Sequence, residues 1–122
     1  RFVKWLNEKR QLEQGHAEPV EANIIMKLDY VYIVKCSDNS YYTGVTNDLE
    51  GRINEHNDGL NPESYTYKRR PVELVFHYEF NDINQAIDFE KQVKGWSRKK
   101  KEAIINDKWD LLPELSKNRM KD

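Results

Sequence analysis

Paired cysteines, long apolar runs and a strong net charge are all missing from this sequence of 122 residues. Its single cysteine, Cys36, cannot close an internal disulfide, which indicates a reducing compartment and predicts a cytoplasmic protein. No apolar run approaches the roughly 20 residues that cross a bilayer, so the sequence predicts no membrane contact. A net charge of −1 provides no overall field for a polyanion, so nucleic-acid binding would need local patches of positive charge.

The length and composition fit one domain with a single modest core, since 34% of the residues are charged and 38% are hydrophobic. We expect this domain to span residues 26–115. Residues 1–25 predict an amphipathic helix and a linker outside the functional domain, whether as an added expression segment, an upstream read-through or a lineage-specific extension. Residues 116–122 predict a frayed tail.

Two strand-like runs lie close together at the start of the expected domain. Residues 30–36 and 41–43 are rich in β-branched and aromatic side chains, and the residues between them favour turns. This pattern predicts a β-hairpin. Gly44 is predicted to end the second strand, because a residue without Cβ allows a sharp turn or the close approach of a ligand.

A helix that carries an arginine and a histidine is predicted directly after the hairpin. Asn47 is its predicted N-cap, and Leu49 and Ile53 would face the core. Arg52 and His56 fall on or beside the same apolar stripe, because residues three or four apart share a helix face. A cation and an imidazole are costly there unless they are paired, and a phosphate is one candidate partner.

Alternating apolar residues at 72–80 predict a third strand, with His77 on the polar alternate and therefore at the surface. Two further helices are predicted after it, one from Asp82 to about Lys94 and another that opens at Ser97. The order strand, strand, helix, strand, helix, helix predicts an α+β fold. We expect a small three-stranded, mostly antiparallel sheet that is flanked by helices.

Glu90 lies near the middle of the apolar stripe of the helix that begins after Asp82. A carboxylate at such a position must be paired, protonated or bound to a metal. Two interpretations are therefore open at this point. One is a buried salt bridge, for example with Arg52, and the other is a metal site.

Basic residues are concentrated in two places. The basic loop cluster consists of Lys68, Arg69 and Arg70, and the basic helix cluster consists of Lys91, Lys94, Arg98, Lys99, Lys100 and Lys101. On composition alone, such clusters are more typical of a solvated face than of a nucleic-acid contact. Tyr65 and Tyr67 interleave with the start of the loop cluster, where they would either stack on unpaired bases or pack the loop onto the core.

Several of these features together resemble the GIY-YIG nuclease superfamily, and most of all its small stand-alone bacterial branch. They are the tripeptides Tyr30-Val31-Tyr32 and Tyr42-Thr43-Gly44, followed by Arg52, His56 and a later acidic helix. The resemblance runs from about residue 30 to about residue 105 and extends to the amino-terminal nuclease domain of the bacterial excision-repair endonuclease. Tyr30 stands where the superfamily pattern has Gly, and Thr43 stands where it has Ile.

The resemblance implies a metal-dependent endonuclease that hydrolyses phosphodiester bonds in DNA, with a role in repair or recombination. It implies that Arg52 contacts the scissile phosphate and that Glu90 holds one divalent cation, Mg²⁺ or alternatively Mn²⁺. Tyr32, Tyr42 and His56 would surround the attacking water. Tyr32 is the first candidate for general base and His56 the second, since a phenol with an ordinary pKa of about 10 needs a nearby cation to act near neutrality.

The same resemblance favours DNA contacts for both basic clusters. The expected contact residues are Lys68, Arg69, Arg70, Lys91, Lys94, Arg98, Lys99 and Lys100. Two other functions stay open on the residues alone. A catalytically inactive nucleic-acid-binding module would keep these cations without needing Arg52 or Glu90, and a protein-interaction domain would use them only as a solvated face.

Overall fold

The computed structural model describes residues 27–121, with side chains described as far as residue 117. This part of the chain consists of β1 (Asp29–Lys35), β2 (Tyr41–Thr46), α1 (Leu49–Asp58), β3 (Glu73–Phe80), α2 (Ile83–Lys94), α3 (Arg98–Ile105) and α4 (Leu112–Lys121). Short 3₁₀ turns lie at Tyr67–Arg69 and Trp109–Leu111. The predicted N-terminal extension, residues 1–25, lies outside the described residues, and the predicted boundary at residue 116 falls within α4.

The three strands form one antiparallel sheet in the order β2-β1-β3, which confirms the predicted α+β fold. The β1–β2 hairpin is confirmed as well. The prediction that Gly44 ends the second strand is wrong, because Gly44 pairs with Tyr32 within the ladder and β2 continues to Thr46. Residues 31–34 of the central strand are all fully buried, so both faces of β1 are covered.

Two hydrophobic clusters cover the sheet. The first contains Tyr32, Val34, Cys36, Leu49 and Val72, and the second contains Ile33, Phe76, Val93 and Ile104. Because neighbouring residues of a strand point to opposite faces, the clusters lie on opposite sides of β1. The first therefore receives α1 through Leu49, and the second receives α2 and α3 through Val93 and Ile104.

The N-caps of the first two helices have the predicted type of residue, but one lies a residue later than predicted. Asp48, not the predicted Asn47, caps α1, and its side chain accepts a hydrogen bond from the backbone N–H of Gly51 at 3.1 Å. The side-chain oxygen of Thr46 bonds the backbone of Asp48 and so favours the aspartate over its neighbour as the cap. Asp82 caps α2 as predicted, and α2 ends at Lys94.

His77 is buried, with 8% of its surface exposed, so its predicted surface position is wrong. It lies opposite Tyr32 on the central strand, and its ring centroid is 6.5 Å from that of Tyr30. The period-two pattern of β3 suggested one solvated face, but both faces of the neighbouring central strand are covered, and His77 shares this cover beside Tyr32. Within the described residues, none of the helices has both the length and the apolar character of a membrane span.

Candidate active site

Tyr32 is a fully buried phenol that lies across the sheet from a glycine. A Cβ added at Gly44 would lie 2.5 Å from the Tyr32 hydroxyl oxygen and 2.6 Å from its Cζ. The missing side chain therefore makes the space that the phenol occupies. The sequence left open a sharp turn or the close approach of a ligand at Gly44, and the group that lies against it is instead the ring of Tyr32.

His56, in the last turn of α1, has a hydrogen-bond partner at each ring nitrogen. Its Nε2 lies 2.8 Å from the hydroxyl of Tyr32, and its Nδ1 lies 2.7 Å from Oγ1 of Thr66. Thr66 is fully buried in the segment between α1 and β3. These contacts join a strand, a helix and a loop through one imidazole.

Burial sets the protonation of this pair. It raises the pKa of Tyr32 to about 12, with Tyr42 acting in the same direction, while a hydrogen bond and the positive charge of Arg52 oppose the shift. Burial also lowers the pKa of His56 from its usual 6.5, and the charge of Arg52 lowers it further. Near neutral pH the phenol is therefore protonated and the imidazole is neutral.

A cavity of about 210 Å³ opens beside these side chains. Its lining consists of Tyr42, Arg52, Glu55, His56, Gly59, Leu60, Asn61 and Ser64. The ring of Tyr42 meets that of His56 edge-on at 5.5 Å and stacks on that of Tyr65 at 5.9 Å. Three of the predicted catalytic residues thus line one cavity, and Tyr32 contacts it through His56.

Arg52 pairs with Glu55 and not with Glu90, so the salt bridge considered from the sequence is not the one that forms. Its Nε lies 3.2 Å from Oε1 of Glu55, one helical turn away. The side chains of Arg52 and Glu55 are 42% and 55% exposed. An ion pair this exposed contributes only about 0–1 kcal/mol, so an incoming anion can displace the glutamate at little cost.

Glu90 on α2 has a cation one helical turn further along the same helix. Its Oε2 lies 2.7 Å from Nζ of Lys94, and its side chain is only 12% exposed. Lys94 also lies 5.6 Å from the centroid of the Tyr42 ring, so this ion pair borders the aromatic wall of the cavity. The burial predicted for Glu90 is observed, and the salt bridge left open by the sequence is with Lys94.

The donor chemistry of Glu90 fits a single hard cation. Among the described residues, no cluster of three or more His, Cys, Asp or Glu side chains is placed to hold a metal ion. Mg²⁺ does not need such a cluster, because it keeps several of its waters and is often held by one or two carboxylates. The carboxylate of Glu90 is largely shielded from solvent and already pairs with an ammonium at 2.7 Å. It therefore offers the negative charge and the oxygen atoms that such an ion needs.

The two arginines of the basic loop cluster are engaged within the chain. Arg69 donates to Asp38 at 3.1 Å and to the backbone oxygen of Tyr65 at 2.7 Å, and its guanidinium lies over the Tyr65 ring. Arg70 donates to the backbone oxygen of Tyr67 and lies over that ring. Both tyrosines therefore serve as supports for the loop, while Lys68 is exposed to solvent.

The basic helix cluster is divided in the same way. Arg98 donates to Glu102 at 3.1 Å and lies over Tyr41, and Lys100 is buried with its ammonium 4.8 Å from the Trp96 ring. Lys91, Lys94 and Lys99 are exposed. Intramolecular partners thus offset part of the repulsion expected where cations gather at a helix start.

Thr66 and Glu55 are the residues at this site that sequence reasoning missed. Thr66 lies in a stretch whose composition predicts only a loop, and no spacing rule connects it to His56. Its place between the two tyrosines that anchor the loop was the only signal available. Glu55 could have been found, since residues three apart on a helix surface are neighbours.

Comparison with known proteins points to one family. A family model described as the GIY-YIG catalytic domain matches residues 28–103. The chain is 48% identical over 79 residues to the UPF0213 protein YazA of Bacillus subtilis (strain 168), a match that covers 65% of this chain and 79% of that protein. It is 44% identical over 82 residues to a UPF0213 protein of Staphylococcus saprophyticus, with coverage of 67% and 99%.

A UPF0213 protein from Bacillus halodurans, determined by solution NMR, is 41% identical, with a TM-score of 0.45 and coverage of 66% of this chain and 85% of that one. The names of these relatives state no activity. The family model alone covers more than half of the chain and includes both tripeptides, Arg52, His56 and Glu90. The chain therefore belongs to the GIY-YIG family, a family of nuclease domains, and its GIY-YIG catalytic domain spans residues 28–103.

Proposed function

We propose that this protein is a metal-dependent endonuclease that hydrolyses phosphodiester bonds in DNA, within the cytoplasm and in a repair or recombination setting. The observation that supports it best is the hydrogen-bonded Tyr32–His56 pair beside a cavity lined by Arg52. Hydrolysis needs a proton acceptor, a positive charge for the phosphate and a way to stabilise the leaving oxygen. The residues of this site provide a candidate for each.

Arg52 is the proposed phosphate ligand. Its guanidinium lines the cavity and is held only by an exposed ion pair with Glu55. A phosphate oxygen can replace the carboxylate and gain charge-assisted hydrogen bonds from the same donors. The arginine then stabilises the negative charge that grows on the phosphate as water attacks.

Tyr32 and His56 form the proposed proton acceptor. A phenol with a pKa raised to about 12 is a weak acid, so its oxygen takes a proton from water only if its own proton moves elsewhere. Nε2 of neutral His56 lies 2.8 Å away and can receive it. The attacking water then loses one proton to Tyr32 and Tyr32 loses one to His56, so the phenol stays neutral overall.

Glu90 is the proposed ligand of the divalent cation, Mg²⁺ or alternatively Mn²⁺. When bound, such an ion supplies positive charge that stabilises the leaving oxygen. Tyr42 lines the cavity, and its ring also lies beside Lys94, the partner of Glu90. We propose that the ring orients the DNA strand and the attacking water between the cavity and the metal ligand. Its ring contacts with His56 and Tyr65 hold it in that position.

DNA would contact the exposed members of the two basic clusters. Lys68, Lys91, Lys94 and Lys99 are exposed, which suits phosphate contacts, and Lys94 also pairs with Glu90. Arg98 is exposed as well, but like Arg69, Arg70 and Lys100 it has a partner within the chain. We propose that these four support DNA binding mainly by fixing the surfaces from which the exposed lysines extend.

The test is a cleavage assay on single-stranded, duplex and branched DNA, with Mg²⁺ or with chelator. We expect Arg52→Ala to lower the cleavage rate by about 10²–10³-fold, the usual cost of losing a group that stabilises transition-state charge. DNA binding, measured by fluorescence anisotropy, should weaken only modestly. Glu90→Ala should abolish the metal-dependent cleavage. Glu114→Ala, at an exposed position on α4, is the matched control and should cleave as the wild type does. Wild-type cleavage by Arg52→Ala would contradict the assignment.

A catalytically inactive nucleic-acid-binding module is the second candidate. Two ion pairs favour it, since Glu55 already occupies Arg52 and Lys94 already occupies Glu90. This candidate predicts salt-dependent DNA binding, no cleavage with any divalent metal, and no effect of Glu90→Ala on binding. Metal-dependent cleavage that is lost in Glu90→Ala and kept in Glu114→Ala would exclude it.

A further inference from the structure

We propose that Thr66 is a positioning residue that holds His56 in the tautomer able to accept the proton of Tyr32. This inference rests on the proposed nuclease function for its catalytic meaning. The hydrogen bonding itself does not depend on that function. The buried hydroxyl of Thr66 lies 2.7 Å from Nδ1 of His56, on the side of the ring opposite to Tyr32.

A neutral imidazole carries one N–H donor and one acceptor nitrogen, so only two arrangements satisfy both contacts of His56. In the first, Nδ1–H donates to Thr66 and Nε2 accepts from Tyr32. In the second, Thr66 donates to Nδ1 and Nε2–H donates to the phenol oxygen. Only the first leaves Nε2 ready to receive a proton from Tyr32.

The buried hydroxyl of Tyr32 decides between the two arrangements. Among the described residues, Nε2 of His56, at 2.8 Å, is the acceptor within hydrogen-bond distance of that hydroxyl. In the first arrangement Nε2 accepts the phenol hydrogen. In the second, Nε2–H would donate to the phenol oxygen and the buried phenol hydrogen would lack this acceptor, which is costly.

Thr66 is itself held firmly, which a positioning residue requires. Its Oγ1 lies 3.3 Å from Oγ of Ser64, which can accept the Thr66 hydroxyl hydrogen and so leave a lone pair of Oγ1 for His56. Its backbone oxygen accepts from the N–H of Arg69 at 2.9 Å. Asn57 closes the far end of the segment through two hydrogen bonds to the backbone of Val72. The loop therefore fixes the position of the hydroxyl.

The role resembles that of the carboxylate in hydrolase triads, whose loss leaves the histidine in the wrong tautomer. Threonine differs because it carries no charge and so orients the imidazole without raising its basicity. Removal of the hydroxyl should therefore change the tautomer population more than the pKa of His56. That distinction separates positioning from a general loss of stability.

The experiment compares Thr66→Val, which keeps the shape and removes the hydroxyl, with Thr66→Ser, which keeps the hydroxyl. The ¹⁵N shifts of the His56 ring, recorded by NMR on metal-free protein above the histidine pKa, report the tautomer. We expect the Nδ1–H form in wild type and Thr66→Ser, and a mixture or the Nε2–H form in Thr66→Val. With a cleaved DNA, kcat should fall about 10–100-fold in Thr66→Val, as for other residues that orient a functional histidine, and recover in Thr66→Ser.

Ser37→Ala, which removes a hydroxyl from an exposed position in the β1–β2 turn, is the control. It should keep the Nδ1–H tautomer. An Nε2–H tautomer in the wild-type protein would overturn the proposal directly, even if Thr66→Val failed to fold. Unchanged ring shifts in a folded Thr66→Val would do the same. If no DNA were cleaved, the nuclease assignment would fail while the NMR result still decided the role of Thr66.

Discussion

Tyr32 belongs to the hydrophobic core and to the candidate site at the same time. Its ring is fully buried in the cluster that contains Val34 and Leu49, and its hydroxyl bonds His56. A buried hydroxyl without a partner costs free energy, so the histidine stabilises the fold as well as completing the site. Changes around this phenol should therefore affect stability and activity together.

Replacement of Gly44 by alanine tests how tightly this phenol is held. The new Cβ would lie 2.5 Å from the Tyr32 hydroxyl oxygen, so the ring must leave the position in which it bonds His56. Overpacking of this kind costs about 1–3 kcal/mol, which urea unfolding can measure. Cleavage should fall with it, because the Tyr32–His56 hydrogen bond is lost.

Gly95→Ala is the matched control for that substitution. A Cβ there would meet nothing nearer than 3.6 Å, and the residue has an ordinary helical backbone with φ of −82°. Its stability should equal or slightly exceed that of the wild type. Equal stability of Gly44→Ala and Gly95→Ala would mean that the sheet relaxes around the new methyl group.

At the residue scale, the sequence predicted what local spacing encodes. Arg52 and His56 were placed on one helix face by periodicity, and Glu90 was predicted to be buried by the same rule. The partners of these residues were not predictable in the same way. Thr66 reaches His56 through a loop whose path depends on Asn57 and Arg69, and such contacts through space leave no periodic pattern.

At the scale of elements, α2 determines what the carboxylate of Glu90 meets. Residues four apart share a helix face, so Lys94 lies beside Glu90 whatever the rest of the site does. The ammonium neutralises a carboxylate that is only 12% exposed, which lowers the cost of its burial. The same ammonium competes with any metal ion for that oxygen.

Removal of this competitor should strengthen metal binding. We predict that Mn²⁺ raises the melting temperature of metal-free Lys94→Gln more than that of wild type, because a ligand that binds the native state stabilises it in proportion to its affinity. Lys91→Gln removes the same charge at a neighbouring exposed position and should behave as wild type. A smaller metal-induced shift in Lys94→Gln would mean that Lys94 supports the metal site instead of occupying it.

The elements themselves were largely predictable, and their errors share one cause. Hydrophobic alternation and capping residues gave the order of strands and helices and the caps Asp82 and Ser97. The errors at Gly44 and His77 arose because each was judged from its own strand. Gly44 stays in the ladder since Tyr32 lies above it, and His77 is buried since the sheet is covered on both faces.

At the scale of the whole molecule, the loop between α1 and β3 connects separate parts of the fold. Arg69 ties it to Asp38 in the β1–β2 turn, and Asn57 ties its end to α1. The buried site is thus enclosed by elements that pack as one body, and the groups facing His56 come from several of them. The titratable and charged groups among them are Tyr32 on β1, Tyr42 on β2, and Arg52 and Glu55 on α1.

The stability of the whole fold should depend on pH through His56. Burial, followed by the charge of Arg52, lowers its folded pKa below 6.5, and Glu55 only partly offsets this. Below pH 6.5 the unfolded chain therefore binds more protons than the folded one, so the free energy of unfolding rises with pH. The contribution is fully present above that pH and is lost as the pH falls through the folded pKa. Urea unfolding at several pH values between about 5 and 7.5 measures this slope. His56→Gln, which cannot titrate, should flatten it, and an equal slope in both proteins would show that the imidazole is not held neutral by its surroundings.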